Sequence, residues 1–418
     1  MDATVTAFGA VGDGITENRA AIQKAIDACA ASGGGRVTVP AGTFRTGSLE
    51  LKSNVELYLS MGALLKATDD HGEYNEDDAY PQNFGVKSEG WNAKHLIFCH
   101  DQKNVAITGP GVIDGNAEAF FGENKPNTFD DFVWRWGVRG PKDETWLRPG
   151  QLVVFAECEN VRVTDVTLQN ATAWTLFLYG CTFVTVRGLH ILNEKDHLNT
   201  DGIDVDSCRY VTVSDCVILT GDDALTVRGS GGHLVDQNRA CEYVTFSNCV
   251  LRASACGVRI GVGFLPIRHV RFSELVVESA AEAICICPAW SPNTGTPIED
   301  VSFSGITVAK AGCAVKIWAR NTVKVDDLKI TDMTANAETA LILDYPDGAA
   351  PCRMQLRDVT VRGIRNYTPD VPERSGVYPF FRIGNMDLSA ENVHLFEGDS
   401  RFTAADTETI DGLTVVKG

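Results

Sequence analysis

Hydrophobic and polar positions alternate in short runs along most of the chain, and one run recurs. "NVRVTDVTLQN" begins at 160, "FVTVRGLHILN" at 183, "YVTVSDCVILT" at 210, "YVTFSNCVLRA" at 243, "HVRFSELVVES" at 269 and "DVSFSGITVAK" at 300. Looser copies stand at 104, "NVAITGPGVID", and at 358, "DVTVRGIRNYT". Each copy reads as a strand of period two, a polar bend and a second strand. A third short strand precedes each copy: "LVVF" at 152, "TLFLY" at 175, "GIDVD" at 202, "ALTVR" at 224, "GVRIG" at 257, "AICIC" at 283, "AVKIW" at 314 and "ALILD" at 340. Three short strands on such a period predict one coil of a solenoid, in which stacked coils bury a continuous core. A sandwich or propeller would link its strands by hairpin turns, and those turn signals are missing. The expected fold is all-β, a single-stranded right-handed parallel β-helix forming one domain over residues 1–418.

Two segments break the repeat. "TENRAAIQKAIDACAASGGG" sets Ile22, Ala25, Ile26 and Cys29 on one face at helical spacing, with Gly33 as a stop. It predicts a capping helix over 17–32 that covers the open end of the core. Residues 116–150 form a long insertion rich in aromatic and charged residues, expected near one end of any groove.

Composition narrows the partners. The net charge of −18 opposes nucleic acid, whose phosphates need basic partners. It leaves anionic sugars open, because one local Arg or Lys can bind a carboxylate. No run of 18 apolar residues exists, so no membrane span is expected. Among the thirteen cysteines, Cys158, Cys181 and Cys208 share one repeat position, and Cys216 and Cys249 share another. Stacked side chains point the same way, which is poor disulfide geometry, so these read as small core residues. The start "MDATVTAFGAVGDG" has no basic-then-apolar leader. Together these features predict a reducing, cytoplasmic setting.

Stacking also tells which residues share a site, because equivalent positions on neighbouring coils lie about 4.8 Å apart. The residues before successive third strands are Trp174, Asp201, Asp223, Cys256, Glu282 and Cys313. Two aspartates therefore become neighbours, with Asp222 beside them. Carboxylates that close require a raised pKa or a bound cation. The outward positions of the same strands are Phe177 and Tyr179, Asp204 and Asp206, Thr226 and Arg228, Arg259, Cys285 and Cys287, then Lys316 and Trp318. They predict a groove for an oligosaccharide or polysaccharide, with aromatics to stack on sugar rings and bases to hold carboxylates. Three chemistries fit: inverting glycoside hydrolysis by paired acids, a Ca²⁺-dependent uronate lyase or epimerase, and carbohydrate binding without hydrolysis. Turn chemistry accounts for Asp215.

With "FGAVGDGITENRAAIQKAIDACAASGGGRVTVPAGTF", "RPGQLVVFAECENVRVTDVTLQNATAWTLFLYGC", "NTDGIDVDSC" and "GDDALTVRG" on the page, the chain resembles the polygalacturonases, glycoside hydrolase family 28 of the pectin-lyase-like superfamily. The resemblance implies an inverting hydrolase of a pectin-derived or related oligosaccharide. It implies Asp222 as general acid, and Asp201 and Asp223 as the pair that activates water, with no metal or cofactor. Asn199 opens the Asn-Thr-Asp motif and is expected to bind substrate. Two family features are replaced. Cys256 in "SACGVRIGVG" stands where the family has His, and Cys285 and Cys287 in "AICICPAW" stand where it has Arg-x-Lys. A thiol supplies no equivalent positive charge. Arg228, Arg259 and Lys316 are then expected to take over carboxylate binding. Asp204, Glu282, Trp318, Tyr179, Phe177 and the three cysteines complete the expected substrate-binding set. His197 and His233 are candidate stand-ins for the missing histidine.

Overall fold

The computed structural model describes residues 1–83, 93–125, 138–142, 148–289, 295–319, 321–348, 350–364, 380–397 and 411–416. The fold is a right-handed parallel β-helix. Strands inside the solenoid pair in parallel with their equivalents one coil before and one coil after. Leu176–Tyr179 pairs with Val153–Ala156 on one side and with Ile203–Asp206 on the other. Ile203–Asp206 pairs in turn with Leu225–Gly229. Beyond residue 266 the strands of one coil merge into long bent strands, Ile267–Ala289, Ile298–Ala319 and Val325–Asp344.

Alternation explains the core. The inward residues of the recurring phrase, such as Val184, Val186, Val211, Val213, Val244 and Phe246, are buried in one continuous cluster. Removing one such side chain from water is worth roughly 1.5–3 kcal/mol. Because every coil repeats the same positions, like stacks on like. Phe246, Phe272 and Phe303 form a ring ladder with centroids 4.7 Å apart at each step.

The first residue of each phrase has a second role. Asn104, Asn160, Phe183, Tyr210, Tyr243, His269 and Asp300 all have φ between 52° and 60°. The left-handed region suits Asn and Asp but strains Phe and Tyr. Stacking offsets that strain. The rings of Phe183, Tyr210, Tyr243 and His269 lie nearly parallel at 5.1, 5.2 and 5.0 Å. Upstream, Asn160 donates to Asn104 and Asn104 to Asn54, each at 2.8 Å.

The N-terminal helix spans Arg19–Ala31, shorter than expected at both ends. It begins at Arg19 because the Asn18 side chain is spent on the Val11, Thr16 and Arg45 carbonyls. Ile22, Ala25, Ile26 and Cys29 face the core as predicted. All thirteen cysteines are free and buried. Those of the repeat point their thiols at main-chain oxygens, Cys181 at Phe155 and Cys208 at Leu178, 3.2 and 3.4 Å away. No described helix is long and apolar enough to cross a membrane.

Within the insertion, residues 126–137 and 143–147 lie outside the described residues. The rest forms an antiparallel pair, Phe121–Lys125 with Val138–Pro141. It packs on the segment that leads to Asn199. Phe121 stacks on His197 at 4.3 Å, and Arg139 reaches both Glu118 and His197.

Candidate active site

The ends of "NTDGIDVDSCRYVTVSDCVILTGDD" meet because the segment is almost one coil long. The Gly202 N–H donates to the Asp223 carbonyl at 2.9 Å, and the Thr175 N–H to that of Asp201 at 2.9 Å. Two glycines allow the approach. A Cβ on Gly202 would lie 2.3 Å from the Ala224 oxygen, and one on Gly221 would lie 2.1 Å from the His197 oxygen. The result is a cluster in which Asp201, Asp222 and Asp223 bring carboxylate oxygens within 4.8 Å of one another. All three are buried, Asp222 the most open at 8% exposure.

Their environments differ. Asp223 is held by two donors, the Cys256 N–H at 2.9 Å and the Arg259 guanidinium at 2.8 Å. Asp222 receives a long bond from the Asn199 amide, at 3.3 Å, and a backbone hydrogen bond from Asp223. Asp201 leaves Oδ1 buried without a hydrogen bond. Burial, and then repulsion from its neighbours, raises the pKa of Asp222 and of Asp201 well above the usual carboxylate range. Asn199 is itself fixed by Arg148, which donates to its side-chain oxygen at 3.0 Å and to the Leu198 carbonyl at 2.8 Å. Burial lowers the Arg148 pKa to about 10, against the attraction of Asp222 and Asp201. Arg148 is missing from the residues expected on sequence grounds because its partners lie some 50 residues away; its only signal is its place in "RPGQLVVF".

The outward ladder has the expected order. Phe177, Asp204, Thr226, Arg259, Cys285 and Lys316 stand in register on consecutive coils. It is not, however, an open groove. Phe177, Tyr179 and Trp174 are 4–5% exposed and pack with Tyr80, Phe98 and Leu234. Aromatic side chains on an outward face carry so much apolar area that two loops close over them. Tyr179 Oη donates to the Gly231 carbonyl at 3.0 Å. Glu157 ties the loops together, accepting from Gln82 and from the Val235 N–H. Phe177 and Tyr179 thus pack in a closed aromatic wall and present little surface in this structure.

The expected carboxylate binders are likewise engaged inside the protein. Arg228 lies 3.5 Å from Asp206 and 4.4 Å over the Trp174 ring. Lys316 pairs with Glu282 at 2.5 Å, and Arg259 with Asp223. Cys256, Cys285 and Cys287 are fully buried and pack with Ala255 and Leu198, so in this structure they present no surface to a sugar. Burial raises the Cys256 thiol, and pushes Cys287 up to about 12. Cys256, Glu282 and Cys285 lie within 4.8 Å of one another, but the Lys316 ammonium already occupies Glu282. Asp204 is fully buried with neither oxygen bonded, and burial raises it to about 8 against the pull of Arg228. Trp318 pairs in register with Asp344, and its side chain lies outside the described residues. His197 is buried against Phe121, with burial lowering its pKa, and His233 is exposed.

Fold and site together define a parallel β-helix that carries a buried aspartate trio on adjacent coils. The sequence profile of glycosyl hydrolases family 28 matches residues 29–242, just over half of the chain, and this chain belongs to that family. The matched segment contains all three aspartates and ends before Cys256 and Arg259. A probable polygalacturonase of Vitis vinifera is 30% identical over 231 residues, covering 54% of this chain and 44% of that protein. An exo-poly-alpha-D-galacturonosidase of Dickeya chrysanthemi is 32% identical over 260 residues, covering 54% and 42%. The matches to both thus cover less than half of those relatives. The crystal structure of a hyperthermoactive exopolygalacturonase from Thermotoga maritima superposes with a TM-score of 0.69 at 23% identity, over 94% of this chain and 91% of that one.

Proposed function

We propose that the protein hydrolyses a glycosidic bond in a pectin-derived or related oligosaccharide, with inversion. The observation that carries this reading is the unequal environment of three neighbouring carboxylates. Asp223, held by Arg259, is the carboxylate that polarises water. Asp222 and Asp201 both have a raised pKa; Asp222, the more open of the two, gives its proton to the leaving oxygen, and Asp201 helps to orient the water. The nearest oxygens lie closer than the ~6.5–9.5 Å common to inverting pairs and near the ~5 Å of retaining ones. Inversion rests instead on the third carboxyl group, since Asp201 and Asp223 beside Asp222 can hold a water between them. Family membership and the two relatives, a probable polygalacturonase and an exo-poly-alpha-D-galacturonosidase, support the substrate class.

A Ca²⁺-dependent lyase fits less well, because the Arg259 guanidinium already neutralises the Asp223 oxygen that a cation would need. The test is hydrolysis of oligogalacturonides followed by NMR at early times. A first-formed product of inverted anomeric configuration supports the reading; a retained anomer rejects inversion, and an unsaturated product rejects hydrolysis.

A further inference from the structure

We propose that Arg259 is a positioning residue, which holds Asp223 as a carboxylate and so leaves the proton of the trio on the Asp222 side. The proposal rests on the hydrolytic reading above. Arg259 lies outside the family-matched segment, on the coil after Asp223, where its Cα pairs with Thr226. From there the guanidinium reaches back to Asp223 Oδ2 at 2.8 Å, and the Cys256 N–H takes Oδ1. Both oxygens thus accept from donors, one of them charged, which favours the ionised carboxylate.

Other charges surround the trio. Asp201, Asp204 and Asp222 repel one another and Asp223, and Arg259 attracts them all, but its hydrogen bond at 2.8 Å goes to Asp223. Arg148 is attracted by Asp222 and Asp201 while tied to Asn199 and the Leu198 carbonyl, and Arg228 stands by Asp204 and Asp206. On its far side Arg259 meets Cys256, Cys285 and Cys287. Burial raises the Cys256 and Cys287 thiols, so neither supplies a competing anion at neutral pH. Lys316 is engaged by Glu282 one coil further on.

The test compares Arg259→Gln and Arg259→Lys with the wild type in kcat and KM on oligogalacturonides across pH. Loss of the guanidinium removes the opposite charge beside Asp223, which makes the ionised form of the trio costlier. The acid limb of the kcat profile is then expected to move up by about one to two pH units. At a pH below the new limb kcat falls about 10-fold for each pH unit that the limb moves, KM changes less than about 3-fold, and Lys restores most of the limb. A raised KM with an unmoved limb would show a substrate clamp, and a uniform loss at every pH would show a structural role; either overturns the proposal. A double-mutant cycle with Asp223→Asn, read as urea midpoints at pH 7, needs no turnover. Arg259→Gln should lower the midpoint only when Asp223 is present, and additive effects overturn the proposal. If the wild type shows this coupling yet cleaves none of the oligogalacturonides, the hydrolytic reading fails on its own, and the positioning role is overturned with it.

Discussion

Phe177 and Asp204 occupy the same outward position on consecutive coils, Cα paired with Cα. One is a buried wall of aromatic packing and the other belongs to the acidic centre, so the aromatic part of the face ends one strand from the aspartates. A substrate lying along the helix axis is expected to be blocked at the Phe177 end by this wall. Release of short products from chain ends is expected, with polymer viscosity falling slowly against reducing-end formation. Leu234, 1% exposed over the aromatic wall, is the residue whose loss should open it. Leu234→Ala leaves a cavity costing about 2–5 kcal/mol if the loop holds, or admits sugar if it yields. A mixture of product lengths from the wild type at the earliest times would contradict the closed wall.

Asp222→Asn removes the most open carboxyl of the trio, whose bond from Asn199 is long. Its kcat should fall by about 10²–10⁴-fold, the usual worth of general acid catalysis. The fold should survive, because Asn fills the same volume and relieves a buried carboxyl. Reducing-end release and the thermal transition by circular dichroism check the two halves of this expectation. Loss of activity together with loss of the transition would leave Asp222 a structural residue.

Register was legible in the sequence because it is local arithmetic. Recurrence of the phrases, despite unequal steps between them, is enough to set Asp201 beside Asp223 and to order Phe177, Asp204, Thr226, Arg259, Cys285 and Lys316. The rest depends on segments outside the repeat. The loops carrying Tyr80 and Leu234 have no periodic relation to Phe177, so its burial could not be read from the strands. Arg148 approaches Asn199 from an insertion. Arg259 was placed on the correct outward rung, yet whether a long side chain faces a sugar or turns back to Asp223 is decided by side-chain torsions and charge, which spacing does not encode.

The thirteen buried thiols give a direct chemical check on the stacked core. A disulfide needs Cβ atoms aimed at one another, whereas these cysteines sit on stacked positions and are free. Thiol exchange needs the thiolate and access to it, and burial denies access. A thiol-specific chromogenic reagent should find almost no reactive cysteine in the native protein and all thirteen in denaturant. A lower count in denaturant would reveal disulfides and displace the packing account.

Asp204 provides a pH signature for the site. Its folded pKa is raised from 3.8 to about 8, mainly by burial. The sign follows from proton binding. Between the two values the folded state holds a proton that the unfolded chain has lost, so stability must fall as pH rises through this window, by up to about 1.4 kcal/mol per pH unit for one proton. Below the unfolded pKa the penalty is absent, and above pH 8 it is constant. Asp204→Asn cannot ionise, so its stability relative to the wild type should improve steadily from pH 5 to pH 8. Urea midpoints of both proteins at those two pH values measure the change. An Asn variant whose relative stability is the same at pH 5 and pH 8 would mean that Asp204 is already ionised in the fold, paired with Arg228, and would move the neutral carboxyl of this face elsewhere.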